Sequence, residues 1–213
     1  MLFRSITVQS GAMLAAVART AYQTGLTGLE FASGIPGTIG GAVVMNAGAY
    51  GGEMKNVLKE VTVLTKEGEV LVIPAKALEL GYRTSVIPKN GWIVLGAVLQ
   101  LKKGDQEQIL ARMEELKEQR ITKQPLDLPS AGSTFKRPEG YFAGKLIMDA
   151  GLRGFTVGGA QVSEKHCGFV VNRGNATAAD VWKLICEVKR RVKEMTGVEL
   201  EPEVKLLGDF PQR

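Results

Sequence analysis

Three short segments place polar residues where turn or strand logic alone does not demand them, and each offers a different chemistry. Gly81-Tyr82-Arg83-Thr84-Ser85 carries an arginine just after a helical turn. A guanidinium fork held there can grip a carboxylate through two parallel hydrogen bonds, the alternative being a solvated side chain. Ser130-Ala131-Gly132-Ser133-Thr134-Phe135-Lys136 surrounds Ser133 with small residues that would admit a substrate to its hydroxyl. A nucleophilic serine needs a base, and no histidine stands in a nucleophile-elbow context. The readings left open are a serine that donates a proton beside a developing carbanion and an ordinary serine-rich loop. Leu200-Glu201-Pro202-Glu203-Val204-Lys205 reads as a strand with Glu201 and Glu203 on one face and Leu200 and Val204 on the other. Two carboxylates there form a solvated face or, lining a cleft, include a proton handler or electrostatic stabiliser.

A fourth segment points to a ligand rather than a reaction. Gly34, Gly37, Gly40, Gly41, Gly48, Gly51 and Gly52 put seven glycines within nineteen residues, interleaved with Ile, Val and Met rather than linker residues. Backbone without side chains can approach a large polar group, and positive φ lets successive N–H groups converge on an anion. A tight structural corner is the alternative. The pattern is neither GxGxxG nor GxxxxGK[ST], so neither a Rossmann nor a P-loop reading follows.

The elements that must position these residues are legible in outline. Ile6 to Val8 reads as a strand and Ala12 to Tyr22 as a helix with Leu14, Val17 and Ala18 on one face. Val61–Leu64 and Glu69–Ile73 flank the turn Lys66-Glu67-Gly68 as a hairpin, Ala75 to Leu80 is a short helical turn, and Gly91 to Leu101 is a further apolar strand. Helical spacing returns over Gln106 to Gln119, after a change of composition that sets a domain boundary near Gly104. Phe142 to Ala150 predicts a short helix ended by Gly151, Phe169 to Asn172 a strand, and Leu200 to Leu207 a closing strand. Thr177 with Asp180 predicts a capped helix that buries Val181, Leu184, Ile185, Val188 and Val192 and stops near Gly197. Strands and helices mix without a βαβ rhythm, which makes the fold class α+β.

Composition narrows the partners. The 213 residues carry a net charge of +5, with 45% hydrophobic and 23% charged residues, ordinary for a soluble globular protein. No apolar run approaches bilayer length and the start lacks a signal-peptide core, so a cytoplasmic protein with no membrane partner is expected. Basic residues mix with acidic ones without a Lys/Arg block and interleaved aromatics, which argues against nucleic acid. Cys167 and Cys186 are too few for a disulfide framework, and His166 is the one histidine, which excludes a His-based metal cluster.

Taken in order, SGIPGTIGGAVVMNAGAYG, GYRTSVIP, SAGSTFKRP, GKLIMDAGL, GGAQVSEKHCGFVVN and LEPEVKLLG resemble the UDP-N-acetylenolpyruvoylglucosamine reductase family over about Ile6 to Gly208. The short stretch between Arg83 and Ser133 resembles the subtype without an inserted substrate-capping loop. The resemblance implies a partial FAD-binding domain of the vanillyl-alcohol-oxidase type over 1–104 (its second lobe only) and an α+β substrate-binding domain over 105–213. It implies the cofactors FAD and NADPH, the substrate UDP-N-acetylglucosamine enolpyruvate, and a product, UDP-N-acetylmuramate, used in peptidoglycan synthesis. By resemblance, Ser133 donates the proton, while Arg83 and Glu203 stabilise the enolate-like intermediate. Gly34, Ile35, Pro36, Gly37, Thr38, Gly40, Gly41, Asn46, Gly48, Ala49 and Tyr50 correspond to the flavin contact. Arg120 and Lys123 correspond to UDP-sugar phosphate positions, and Lys145 and His166 to further substrate positions, beside their readings as a helix surface and a satisfied loop histidine.

Three departures from the family pattern stand out. Met45 replaces a polar glutamine of some members, which removes one hydrogen-bonding group near the flavin, and Arg137 stands where an asparagine often follows Lys136. The family also has an N-terminal lobe with its own phosphate loop, which this sequence does not show; a truncated product with a missing lobe is expected. The alternative function is a non-catalytic remnant that binds UDP-sugar without FAD, and a flavin oxidase with another substrate is a third, disfavoured by the C-terminal motifs.

Overall fold

Alternation of buried and exposed residues along Leu58–Leu64 and Ile93–Gln100 makes these segments one-sided strands, with Val61, Val63, Ala97 and Leu99 turned inward. The computed structural model describes residues 4–210. They divide into two units at Arg120/Ile121, whereas the composition change lies near Gly104.

The first unit is built on an antiparallel sheet. It runs β1 (Ser5–Gln9), α1 (Leu14–Gln23), β2 (Leu26–Thr27), α2 (Ile39–Val44), β3 (Gly48–Ala49), β4 (Gly52–Glu53), β5 (Leu58–Leu64), β6 (Val70–Pro74), α3 (Ile87–Asn90), β7 (Ile93–Gln100) and β8 (Lys102–Lys103). The sheet order is β1-β7-β5-β6. Leu14, Val17, Ala18 and Ala21 recur at the spacing that gives α1 one apolar stripe, and this stripe joins Ile39 and Val43 of α2 in the core over the sheet. The expected hairpin about Gly68 forms, with Val61↔Ile73 to Leu64↔Val70 in register. The glycine-rich segment, read from sequence without regular structure, contains α2 and the two-residue ladder β3–β4.

α4 (Gln106–Lys123) carries the divide. The second unit continues with β9 (Ser130–Ser133), α5 (Ala143–Asp149), β10 (Thr156–Val157), β11 (Ala160–Val162), β12 (Phe169–Asn172) and α6 (Ala178–Thr196). Its sheet order is β10-β11-β12-β9, covered by a core that includes Ile147, Leu184, Ile185, Val188 and Val192. α6 starts as its sequence predicts: Thr177 Oγ1 accepts from Asp180 N–H and the Asp180 carboxylate accepts from Thr177 N–H. It ends on Gly197 in the left-handed region, φ 73°.

One expected element is absent. Leu200–Leu207 is not a strand; it makes a single antiparallel bridge, Pro202 opposite Phe135. Pro202 stands at a non-hydrogen-bonded position of this pairing, where its missing N–H is tolerated, and the bonds come from its neighbours: Lys136 N–H donates to Glu201 O and Glu203 N–H to Thr134 O, both at 2.8 Å. Leu200 is nevertheless fully buried and Val204 packs against the same core, so the segment is anchored by two apolar side chains and two backbone bonds.

Candidate active site

The glycine-rich bend of the first unit separates into glycines that packing explains and glycines that it does not. A Cβ on Gly48 would lie 2.6 Å from Gly52 O, one on Gly52 would lie 2.6 Å from the Phe31 ring, and one on Gly40 would lie 3.0 Å from Ser10 Cβ. These three are required by close approach within the protein. Gly37 and Gly51 have φ of 126° and 83°, with nothing within 4 Å of a Cβ, and Gly41, inside α2, would meet only Thr38 Oγ1 at 3.9 Å. A helical glycine gives up about 0.5–1 kcal/mol relative to alanine, and no packing in this unit compensates for it at Gly41. An exposed, side-chain-free surface at Gly37 and Gly41 fits the approach of a flat cofactor, so the residues present fit a flavin.

The anion nest expected from this stretch does not form at α2. Ile39 N–H donates to Ala12 O, Gly40 N–H to Ser10 O, and Gly41 N–H reaches Thr38 Oγ1 at 3.5 Å, so the first-turn donors are spent within the protein. Ile35 and Pro36 lead into the bend, and Ala49 pairs with Gly52 across β3–β4. Met45, half-buried, caps the end of α2.

Asn46, expected beside the flavin, is buried within the protein. It is 0% exposed, and its side chain is used by protein groups: Nδ2 donates to Glu53 Oε2 at 2.5 Å and to Gly81 O at 3.0 Å, while Oδ1 accepts from Lys55 N–H at 2.8 Å. The Arg83 turn packs onto the same bend. Arg83 Nη2 donates to Gly48 O at 3.0 Å, and Ser85 Oγ, 3% exposed, donates to Val44 O at 2.7 Å. The Arg83 guanidinium carbon lies 5.0 Å from the Tyr82 ring centre.

Four of the five non-glycine residues with positive φ among those described fall in these two segments: Asn46, Tyr50, Glu79 and Arg83, at 42° to 54°. Asparagine tolerates this conformation; for the other three it costs about 1–2 kcal/mol each, strain that concentrates where a fold is committed to a function. Arg120, expected at a substrate phosphate, lies against the bend: its Nε is 2.7 Å from where a Gly34 Cβ would stand, and its guanidinium carbon is 5.7 Å from the Tyr50 ring centre.

In the second unit the expected pair Ser133 and Glu203 is brought together by backbone register. Ser133 is the exposed last residue of β9 and pairs with Phe169 of β12. The next residue, Thr134, is buried; its N–H donates to Gly168 O, its Oγ1 accepts from Val170 N–H, and its carbonyl accepts from Glu203 N–H. Glu203 is thus bonded to the residue adjoining Ser133. The other carboxylate, Glu201, forms an ion pair with Lys136. Arg137 stacks over the Phe142 ring, 4.0 Å from its centre, and its Nε–H donates to Tyr141 O.

The remaining expected substrate residues have local roles. Lys145 pairs with Asp149 one helical turn on, at 2.9 Å. His166 Nδ1 accepts from Gly168 N–H at 3.1 Å, its ring meets Phe169 edge-on at 5.0 Å, and burial lowers its pKa, so the neutral ring with Nε2 protonated is favoured. Lys123 is exposed on the last turn of α4, where Lys165 Nζ donates to Ile121 O. Among the described residues no group of three metal-ligating side chains occurs, and no helix is long and apolar enough to cross a membrane. Sequence reasoning missed Ser85 and Glu53; the burial of Ser85 and the positive φ of Arg83 appear only in the structure, so neither residue carried a local sequence signal.

Residues 4–73 match a family profile described as FAD binding domain, which places the first unit in a class of flavin-binding folds. Residues 124–207 match the profile described as UDP-N-acetylenolpyruvoylglucosamine reductase, C-terminal domain. Proteins named UDP-N-acetylenolpyruvoylglucosamine reductase from Agathobacter rectalis and Caldanaerobacter subterraneus are 62% and 54% identical over 96% of this chain, which spans 65% and 68% of their length. The crystal structure of the reductase of that name from Thermus caldophilus aligns with 95% of the chain and 73% of its own, at a TM-score of 0.82 and 41% identity. The chain belongs to the UDP-N-acetylenolpyruvoylglucosamine reductase family, and its α+β fold follows that family's order, FAD-binding domain then C-terminal domain.

Proposed function

We propose that the chain carries out the NADPH-dependent, FAD-mediated reduction of the enolpyruvyl group of UDP-N-acetylglucosamine enolpyruvate to UDP-N-acetylmuramate. FAD, when bound, supplies hydride taken from NADPH to the terminal carbon of the enolpyruvyl double bond. Gly34, Gly37, Gly41 and Tyr50 are the residues that would hold it, through backbone and ring surface.

The chain's own residues carry the rest. The Ser133 hydroxyl donates the proton to the neighbouring carbon, so hydride and proton together saturate the double bond. Arg83 grips the substrate carboxylate, on which negative charge builds as the bond is reduced. Glu203 contributes to the stabilisation of the enolate-like species. The weak acidity of a serine suffices because the redox step belongs to the cofactor. Arg120 and Lys123 supply positive charge to the diphosphate, and Lys145 and His166 have weaker claims on the sugar, given the Asp149 and Gly168 partners described above. UDP-sugar binding without FAD is disfavoured by the match over residues 4–73.

The observation that carries this reading is the bond from Glu203 N–H to Thr134 O, which sets a carboxylate-bearing residue beside the one following an exposed serine. Ser133→Ala tests it. Reduction of bound flavin by NADPH stays intact, while reoxidation by the enolpyruvyl substrate falls by about 10²–10⁴-fold. Equal loss of both half-reactions contradicts the role of Ser133.

A further inference from the structure

The Arg83 turn and the glycine bend are joined at three points that alternate along both chains. Ser85 Oγ donates to Val44 O, Asn46 Nδ2 donates to Gly81 O, and Arg83 Nη2 donates to Gly48 O. Residues 44, 46 and 48 are thus paired with residues 85, 81 and 83. Two of the three bonds, those of Ser85 and Asn46, come from side chains withdrawn from solvent. Around them the backbone is in the left-handed region at Asn46, Tyr50, Glu79 and Arg83. Within its own loop the turn is held by the Gly81–Thr84 bridge, whose bonds are 3.1 and 3.4 Å, and by the bond from Val86 N–H to Leu78 O.

We propose that Asn46 and Ser85 are positioning residues for Arg83: a buried clamp that sets the direction of the guanidinium relative to the bend. The inference rests on the reading of Arg83 as the carboxylate grip, and it takes Asn46 out of the set that touches cofactor. The physical case is an inventory of polar atoms. Both the donor and the acceptor of the Asn46 amide are consumed by Glu53, Gly81 and Lys55, and Glu53 is itself held by Lys55 Nζ at 2.8 Å. A group with no polar atom to offer a ligand can act on one only by placing another group. The clamp joins the turn to residues 44–48, at the end of α2, so a shift of the bend is transmitted to Arg83 through three bonds rather than along thirty-five residues of chain. A left-handed arginine is restrained on both sides, at Gly81 and at Ser85, and its fork has few directions left.

The test compares two ligands that differ in the carboxylate. UDP-N-acetylmuramate carries it; UDP-N-acetylglucosamine does not. Binding of each is measured by calorimetry on the wild-type protein, Asn46→Gly, Arg83→Ala and the double variant. Glycine is chosen because it accepts the φ of 42° at this position. Asn46→Gly weakens UDP-N-acetylmuramate by about tenfold and leaves UDP-N-acetylglucosamine within about twofold, and it has no further effect when Arg83 is already alanine. Equal weakening of both ligands, or additive effects in the double variant, overturns the proposal. Ser85→Ala, which keeps the side chain nearly isosteric, gives the same selective loss in a milder background. Hydrogen exchange of the amides of residues 79–86 separates the two levels of the claim. Faster exchange there in Asn46→Gly, with strands β5 and β7 unchanged, is the expected signature of the clamp, and unchanged exchange overturns it. Should Arg83→Ala bind UDP-N-acetylmuramate as well as the wild-type protein does, the assignment of Arg83 itself fails, whatever the exchange shows of the clamp.

Discussion

Arg83 in the first unit is held by side chains, whereas Ser133 and Glu203 in the second are held by backbone register. Around Arg83 two buried polar residues, Asn46 and Ser85, cross-link a strained turn to a strained bend. Around Ser133 and Glu203 the backbone of Thr134 pairs with Gly168 and Glu203, and one buried side chain, the Thr134 hydroxyl, accepts from Val170 N–H. The first arrangement fixes a long, flexible fork that has many rotamers to lose. The second suits short side chains that need only the right register. Substitutions are therefore expected to act on different atoms: in the first region on buried polar side chains, and in the second on the apolar anchor Leu200 together with the single buried hydroxyl of Thr134.

Perturbations that break this contrast can be ranked. Leu200 is fully buried under the 201–203 segment, so Leu200→Ala costs about 3 kcal/mol of unfolding free energy and slows substrate-driven reoxidation as Glu203 loses its register; urea unfolding and the two half-reactions measure both. Gly48→Ala brings a Cβ to 2.6 Å from Gly52 O and costs about 2 kcal/mol in the same unfolding assay, because the obstacle is backbone that cannot swing aside. Thr177→Ala removes the cap of α6 at about 1 kcal/mol and leaves both half-reactions unchanged, which makes it the control. Gly41→Ala has the opposite sign from Gly48→Ala. With open space around its Cβ it stabilises the fold by about 0.5–1 kcal/mol and weakens FAD retention, read from the flavin left after dialysis.

The smallest effect is one of pH. Burial lowers the His166 pKa below its ordinary 6.5, so the folded state disfavours the protonated ring. Its contribution is fully present above the unfolded value and is lost as pH falls through that value toward the folded one. His166→Gln is therefore expected to flatten the dependence of the urea midpoint on pH just below neutrality.

Much of this was legible in the residues themselves. The α1 stripe, the hairpin about Gly68 and the Thr177–Asp180 cap were readable because local spacing and chemistry agree with the fold. The strand at Ser130–Ser133 was not, since serine, alanine and glycine carry little strand propensity and the pairing is set by Phe169 far along the chain. The closing strand was over-read: its apolar alternation is real, but the pairing is confined to the bridge between Pro202 and Phe135. Among the site residues, Ser133 and Glu203 could be picked out by type, but the bond of Asn46 to Gly81, thirty-five residues away, follows from no local pattern.

The most direct measurement is the visible spectrum of the purified protein, followed through dialysis and then through anaerobic addition of NADPH and UDP-N-acetylglucosamine enolpyruvate. Flavin bands that persist, bleach with NADPH and return with the enolpyruvyl substrate are the predicted result. A colourless protein, or bleached flavin that the substrate leaves unchanged, contradicts the account.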